Sequence, residues 1–185
     1  KTVTLLFAPP ALPEKLDTAG FKAILENSIA EMNQLAQRYG VKLPEKYSFT
    51  FESQRQQMQL DQKSLTPLAI QLNDVRQISE ILFNSKIHEL VSFKRAGVAS
   101  NEISGGNDIF SKKISSNAIT GVVTYPYEVM FNCFSREMGT VLSALGSSKQ
   151  MLVVKTVNIE RGDETSSSDA TVAATGPTPA GMDPI

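Results

Sequence analysis

The side chains that most often carry catalysis are scarce in this chain of 185 residues, and their spacing pairs none of them. His88 is the only histidine. Glu89 follows it at the start of a predicted strand, where successive side chains point to opposite faces. A Ser-His-Asp triad would need this same histidine, and no Gly-x-Ser-x-Gly turn is present to expose a nucleophile. We therefore interpret His88 as an edge residue of a strand, with a lone base or ligand as the alternative.

Cys133 and a glycine pair are the next candidates for chemistry. Cys133 is the only cysteine, so the chain can form neither an intrachain disulfide nor a cysteine-based zinc site. It falls in an apolar run without basic neighbours, which favours a buried hydrophobic role over a reactive thiolate. Gly105 and Gly106 could line an anion, but no Gly-Lys-Ser/Thr follows, and a flexible loop tip is the simpler interpretation.

The acidic residues give no catalytic pair either. Four of them are scattered over polar faces at spacings unsuited to glycoside or metal chemistry: Asp61, Asp74, Glu80 and Glu89. We therefore predict no catalytic residue, no cofactor and no metal, and we do not expect an enzyme. A small basic and apolar patch formed by Phe110, Lys112, Lys113 and Ile114 suits contact with a partner, with a plain surface loop as the alternative.

Composition describes an ordinary globular chain with little affinity for nucleic acid. Hydrophobic residues make up 41% and charged residues 20%, which suits one domain with one core. The 18 basic and 19 acidic side chains nearly cancel and do not cluster, so a phosphate backbone would find little to bind. No apolar run approaches the ~20 residues of a membrane helix. Because the chain starts with Lys1 rather than methionine, we expect that an upstream piece was removed, which leaves a membrane anchor open.

The elements that would position these residues begin with an amphipathic helix over residues 17–39. Its apolar residues recur at steps of three and four, which predicts one buried face. Asp17 or Thr18 can cap its start, and Gly40 suits a left-handed residue at its end. This is the best-supported element in the sequence.

Two further helices follow the same logic. Thr66 and Pro67 form a cap and first-turn pair for a helix over residues 66–84. Ser135 similarly caps a shorter helix over residues 135–145, and Gly146 ends it.

Alternation of apolar and polar residues predicts three strands, at residues 47–51, 87–95 and 125–133, and a run dense in Val predicts a fourth at residues 151–159. Together with the later two helices they form two strand-helix-strand units. A duplicated βαβ unit predicts an α+β ferredoxin-like sandwich, in which one antiparallel sheet has helices on one face. The helix over residues 17–39 is an addition at the N-terminal end.

The chain is accordingly divided into three parts. Residues 1–16 are predicted to be an extended segment stiffened by Pro9, Pro10 and Pro13. Residues 17–161 form the single ferredoxin-like domain, with a weakly patterned insert at 99–118 that we interpret as a loop or long hairpin tip. Residues 162–185, rich in Ser, Thr, Ala, Gly and Pro without a basic residue, are predicted to be a disordered tail or linker.

The order of segments between Asp17 and Glu160 resembles that of a known family. The most telling stretches are residues 21–39, residues 68–93, and the run YPYEVMF at residues 125–131 with the helix and strand that follow it. They resemble the Akkermansia-type pilus-like envelope proteins, which are distantly similar to PilO and GspM of type IV pilus and type II secretion machines. Members of such families have an N-terminal membrane helix, a coiled coil and a ferredoxin-like periplasmic domain that pairs with itself or a relative. This chain looks like the periplasmic part.

The resemblance implies a non-catalytic scaffold rather than an enzyme. We expect a periplasm-facing or outer-membrane-associated assembly component of a pilus or type II secretion-like machine, whose partners are a second copy or related envelope assembly proteins. No nucleic acid partner is implied, and contact with the membrane would come only through a missing N-terminal anchor. The alternative is a small-molecule-binding regulatory domain, because ferredoxin-like sandwiches also hold ligands in clefts between paired subunits.

Overall fold

Two long helices and one central strand enclose the core of the computed structural model, which describes residues 16–98, 102 and 108–161. The elements in chain order are α1 (Thr18–Tyr39), α2 (Glu52–Gln56), α3 (Gln62–Asn84), β1 (Glu89–Ala96), β2 (Ile109–Phe110), β3 (Ser115–Ser116), β4 (Val123–Thr124), β5 (Tyr127–Asn132) and α4 (Ser135–Gly146). The predicted N-terminal segment apart from Leu16, the Gly105–Gly106 tip and the predicted tail lie outside the described residues.

Helix α1 confirms the prediction for residues 17–39. The Asp17 carboxylate accepts a hydrogen bond from the Gly20 amide at 2.7 Å, which satisfies one of the unpaired donors of the first turn. At the other end Gly40 adopts the left-handed conformation, with φ 69°. The buried stripe packs against α3 and consists of Phe21, Leu25, Ile29, Met32 and Ala36, with the small polar Ser28 between them.

Helix α3 begins four residues before the predicted cap. Asp61, rather than Thr66, is the N-cap residue, and its carboxylate accepts from the Lys63 amide at 3.2 Å. Pro67 therefore lies inside the helix, where it removes one backbone hydrogen bond, to the Lys63 carbonyl. Leu65 and Leu68 are both buried in the core. Burial of apolar residues on both sides of the proline accounts for the helix continuing across it.

The main sheet has β1 at its centre, in the order β2-β1-β5. Strand β1 runs parallel to β2 and antiparallel to β5. A register shift between Leu90 and Ser92 turns Val91 outward, where it is 38% exposed. Strict alternation along the predicted strand at residues 87–95 would place Val91 on the same face as Phe93, but the bulge reverses the alternation.

The predicted strand at residues 47–51 is not formed. Phe49 and Thr50 have positive φ angles of 48° and 74°, which belong to turns rather than strands. Ser48 and Thr50 are buried together with Phe49 and Phe51. The alternation of aromatic and polar residues therefore does not correspond to a buried face and a solvent-exposed face. A turn into α2 replaces the strand.

The predicted strand at residues 151–159 is also not formed. Within the described chain, residues 153–160 make no hydrogen bond and lie on the surface. Each predicted βαβ unit thus lacks one strand, and the ferredoxin-like duplication is not confirmed. The observed fold is a mixed α+β arrangement with a helix-rich N-terminal half and small sheets.

The remaining elements follow the prediction more closely. Helix α4 extends one residue beyond the predicted end, and its N-cap is Phe134 rather than Ser135. The Glu137 carboxylate accepts from the Phe134 amide at 2.8 Å, which satisfies this helix start. Strand β3, near the end of the predicted insert, pairs with β4, which lies beyond the insert, and the two form a short antiparallel hairpin.

Two glycines, one at the end of α1 and one inside α4, give a paired test of how glycine affects helix stability. Gly40→Ala is expected to lower the free energy of unfolding by about 1 kcal/mol, because an L side chain is strained in the left-handed region. Gly139→Ala, inside α4 with nothing within 4 Å of the added Cβ, is expected to raise it by about 0.5–1 kcal/mol. Urea denaturation of both variants checks the opposite signs. Equal effects would show that Gly40 is not a required C-cap.

Candidate interaction surface

Burial divides the described chain into two unequal parts. Every buried hydrophobic residue lies between Leu16 and Ala96, with the single exception of Val141 in α4. Helices α1 and α3 with strand β1 therefore supply most of the core. Apart from Val141, the part from Ile109 onward adds only half-buried apolar side chains to it.

The exposed hydrophobic residues show the opposite distribution. Of the 14 large hydrophobic side chains that the described chain exposes, 11 lie between Ile119 and Ile159. Three belong to the β3–β4 hairpin, and we call the other eight the exposed C-terminal side chains: Met130, Phe134, Leu142, Met151, Val153, Val154, Val157 and Ile159. Exposed apolar residues scattered singly are ordinary, whereas a contiguous patch of them marks a surface that contacts another molecule. Their concentration in one part of the chain makes this part the candidate for such a surface.

A cluster of charged and polar side chains around Arg95 is buried inside the protein. The Arg95 guanidinium from β1 is fully buried and donates to both oxygens of Glu102, at 3.0 and 3.3 Å. It also donates to the side-chain oxygens of Gln54, at 2.9 Å, and Gln71, at 3.0 Å. The guanidinium carbon lies 4.6 Å from the centre of the Phe51 ring, a cation–π contact.

The partners of Arg95 are themselves held in place. Gln54 donates a hydrogen bond to Glu102, and Glu102 accepts another from the Val98 amide at 2.7 Å. Gln71 donates to the Ala96 carbonyl at 2.8 Å. The cluster thus joins α2, α3, β1 and the turn at Glu102 inside the protein. Because the ion pair is 0% and 2% exposed, its arrangement suits positioning of these segments rather than binding of a ligand from solvent.

Removal of one buried charge is expected to destabilise the fold strongly. Arg95→Met removes the buried cation that pairs with the Glu102 carboxylate, and loss of one member of a buried ion pair should cost about 3–5 kcal/mol of unfolding free energy. The neighbouring Lys94 pairs with Glu128 at 2.7 Å on the outer face, with both side chains about a third or more exposed, so Lys94→Met should cost at most about 1 kcal/mol. Chemical denaturation measures both.

A double variant distinguishes two costs of removing Arg95: the loss of its attraction to Glu102, and the burial of the Glu102 charge that remains. Arg95→Met combined with Glu102→Gln should be less destabilised than Arg95→Met alone, because no uncompensated charge is left in the interior. Equal losses in Arg95→Met and Lys94→Met would contradict a structural role for the cluster.

A second polar contact joins α3 to β5. The Tyr127 hydroxyl donates to the Asp74 carboxylate at 2.7 Å. Burial raises the pKa of Asp74 above its usual range, and the hydrogen bond from Tyr127 opposes this in part. Burial, reinforced by the charge of Asp74, also raises the pKa of Tyr127. The hydroxyl therefore keeps its proton and remains the donor.

This contact makes a prediction about pH. Because the pKa of Asp74 is higher in the folded than in the unfolded chain, the folded state is favoured when the carboxyl is protonated and loses that advantage as the pH rises above about 4. Asp74→Asn, which cannot ionise and keeps an acceptor for Tyr127, should therefore become more stable relative to the native chain as the pH is raised from 3 towards neutral. Thermal unfolding across this range measures the difference. A difference that is constant, or that changes in the other direction, would contradict the assignment.

The structure describes all four residues of the predicted interaction patch. Phe110, at the end of β2, and Ile114 are half-buried, whereas Lys112 and Lys113 are exposed. The Lys112 ammonium lies 5.6 Å from the centre of the Phe110 ring, so these two side chains contact each other. A partner for this patch stays a prediction.

The other candidates for chemistry are dispersed. His88 is exposed just before β1. Cys133 is half-buried against the core, and burial raises the pKa of its thiol, which disfavours the reactive thiolate. Within residues 16–98, 102 and 108–161, no three His, Cys, Asp or Glu side chains are grouped so that they could hold a metal ion.

The Arg95 cluster was missed by the sequence analysis. One signal for it was available: Arg95 has the same strand phase as Phe93 and thus falls on the apolar face of β1. Gln71 likewise lies within the buried stripe of α3. Gln54 and Glu102 fall in stretches without a period, and nothing in their sequence surroundings indicates that they meet Arg95.

The fold and the exposed C-terminal side chains define a small α+β domain with an incompletely covered apolar surface. By sequence, the chain belongs to the pilus-like family, whose profile matches residues 2–184. It is therefore a pilus-related protein of the cell envelope or surface. None of the described helices combines the length and apolarity required to cross a bilayer.

Solved structures with a similar fold come from Akkermansia muciniphila. A structure of a protein without its transmembrane region is 10% identical, with a TM-score of 0.67 over 89% of this chain and 88% of that one. A crystal structure of a core domain is 12% identical, with a TM-score of 0.61 over 80% and 79%. At these identities the likeness concerns the fold. The search of curated proteins found no match.

Proposed function

We propose that this protein is a non-catalytic scaffold of a pilus or type II secretion-like envelope machine, which faces the periplasm and acts by pairing with a second copy of itself. Membership of the pilus-like family supports the machine. The similar Akkermansia structure, solved without a transmembrane region, supports placement next to a membrane.

The observation that carries the proposal is the uneven distribution of apolar side chains. The N-terminal half buries its apolar residues well, whereas Phe134 is 75% and Ile159 75% exposed. Folding of one chain leaves these side chains in water, and covering them would be favourable by about 25 cal/mol for each Å² removed from water. A second copy of the same chain is present wherever the first is present, so we take it as the partner. Twofold symmetric dimers are the commonest form of assembly.

The polar residues of the fold support assembly rather than turnover. The strongest charged group, the pair of Arg95 and Glu102, is enclosed by the protein. The charged residues on the surface, such as Arg76 with Glu31 and Arg55 with Glu26, form exposed ion pairs between elements. These arrangements stabilise and solubilise a domain, and they do not converge on a site where a substrate could react.

Self-association through the exposed C-terminal side chains is directly measurable. Sedimentation equilibrium should show a reversible dimer of the native chain, and Phe134→Glu and Leu142→Glu should each weaken it at least about tenfold, because a charge would be buried in the interface. Met58→Glu is the matched control, since Met58 is 92% exposed but lies in the N-terminal half. It should leave the dimer unchanged.

The opposite results would be equally clear. A native chain that stays monomeric at the highest attainable concentration would remove the proposed pairing. Equal weakening by Met58→Glu would show that association is not located at the C-terminal side chains. Far-UV circular dichroism confirms that each variant is folded before it is compared.

A further inference from the structure

Residues 151–159, which we call the Val-rich segment, have the sequence of a strand without a strand partner. Alternate positions carry Met151, Val153, Val157 and Ile159, interrupted only by Lys155, and these four apolar side chains are between 43% and 75% exposed. The positions between them become polar towards the end, with Thr156 and Asn158. Such alternation is typical of a strand with one buried face. In the single chain, this face is left in water.

Strand β5 has a free edge to which a further strand could bind. Among the described strands it is an edge of the sheet, hydrogen-bonded on one side to β1, so its other side carries amide and carbonyl groups that no described strand pairs with. Its inward side chains, Tyr127, Val129 and Phe131, pack against the core but are only half-buried. The inward side chains of β1, by contrast, are fully buried, with Leu90 and Phe93 at 0% exposure. A further strand beside β5 would complete the cover of its inner face.

From these two features, we infer that the Val-rich segment of one copy adds as a strand to the free edge of β5 in a second copy. The inference rests on the proposed function, because it specifies how the two copies pair. Main-chain hydrogen bonds would supply the affinity of such strand addition, and the apolar alternation would set its register. The apolar side chains of the segment would then lie beside the inward side chains of β5, on the same face of the extended sheet.

The location of the segment in its own chain favours exchange between copies. It follows α4, which packs against α3, and only Leu152 of the segment is half-buried against the core. From Val153 to Glu160 the backbone makes no hydrogen bond within the described chain. A strand-forming segment and an unfilled sheet edge that remain apart in one molecule are both satisfied when two molecules exchange them.

Hydrogen exchange at several protein concentrations tests the inference. In the dimer, alternate amides of the Val-rich segment and of the outer edge of β5 should exchange at least about tenfold more slowly than in the dilute monomer. A dimer in which the Val-rich segment stays unprotected overturns this inference and leaves the proposed pairing intact. Protection that does not depend on concentration also overturns it, since the segment would then pair within its own chain. A chain that never dimerises overturns both.

Proline variants provide a second, independent test. Because successive amides of a strand point to opposite sides, proline at one of the two neighbouring positions 154 and 155 must remove an amide that pairs with the partner edge. Either Val154→Pro or Lys155→Pro should therefore weaken dimerisation at least about tenfold without changing the stability of the monomer. Dimerisation that survives both substitutions overturns the inference.

A matched proline control is available at Met58. It is 92% exposed, its amide makes no hydrogen bond among the described residues, and the preceding Gln57 has φ −67° and ψ 129°. Those angles lie in the region that a residue before proline prefers. Met58→Pro should leave the dimer unchanged, and a loss of dimerisation here would show that the effect of proline is not specific to the Val-rich segment.

Discussion

The structure depends on one buried charge. Arg95 enters the core from the central strand, and a buried guanidinium is tolerated only if its charge is compensated and most of its donors are paired. Both terminal nitrogens donate hydrogen bonds, whereas Nε makes none among the described residues. Glu102 supplies the compensating charge, and Gln54 and Gln71 supply further acceptors. The four residues come from separate stretches of the chain, so their pairing fixes α2, α3 and the turn at Glu102 relative to β1. An apolar side chain at this position could not impose the same arrangement, because apolar contacts have no direction.

The part of the chain before β2 buries most of its apolar side chains, whereas the part after it leaves many of them exposed. Helices α1 and α3 pack against each other and, together with β1, contribute most of the apolar residues that are buried. Beyond β1 the chain adds β5, α4 and the Val-rich segment. These three carry many of the large apolar side chains that remain exposed to water. The same chain thus combines a stable body with an unfinished surface, as expected of a protein whose role is to be joined to others.

How far the sequence predicts this structure depends on the kind of element. The long helices were predicted because Phe21, Leu25 and Ile29 repeat at helical spacing, and because such periodicity is a local property. The strand at 47–51 was predicted from the same kind of pattern, but Ser48 and Thr50 are buried despite being polar, so alternation did not report burial there. The Arg95 cluster depends on residues far apart in sequence, and local patterns contain no information on which of them meet.

The lysine in the middle of the Val-rich segment has a consequence for how far assembly can proceed. Exposed, β-branched segments tend to stack on identical copies into endless ribbons, in which equivalent residues lie about 4.8 Å apart. Lys155 would then form a column of like charges through the otherwise apolar face, and its repulsion would oppose growth. Pairing with a different strand brings no second Lys155 into contact. A single cation thus disfavours fibrils while permitting a closed, finite complex.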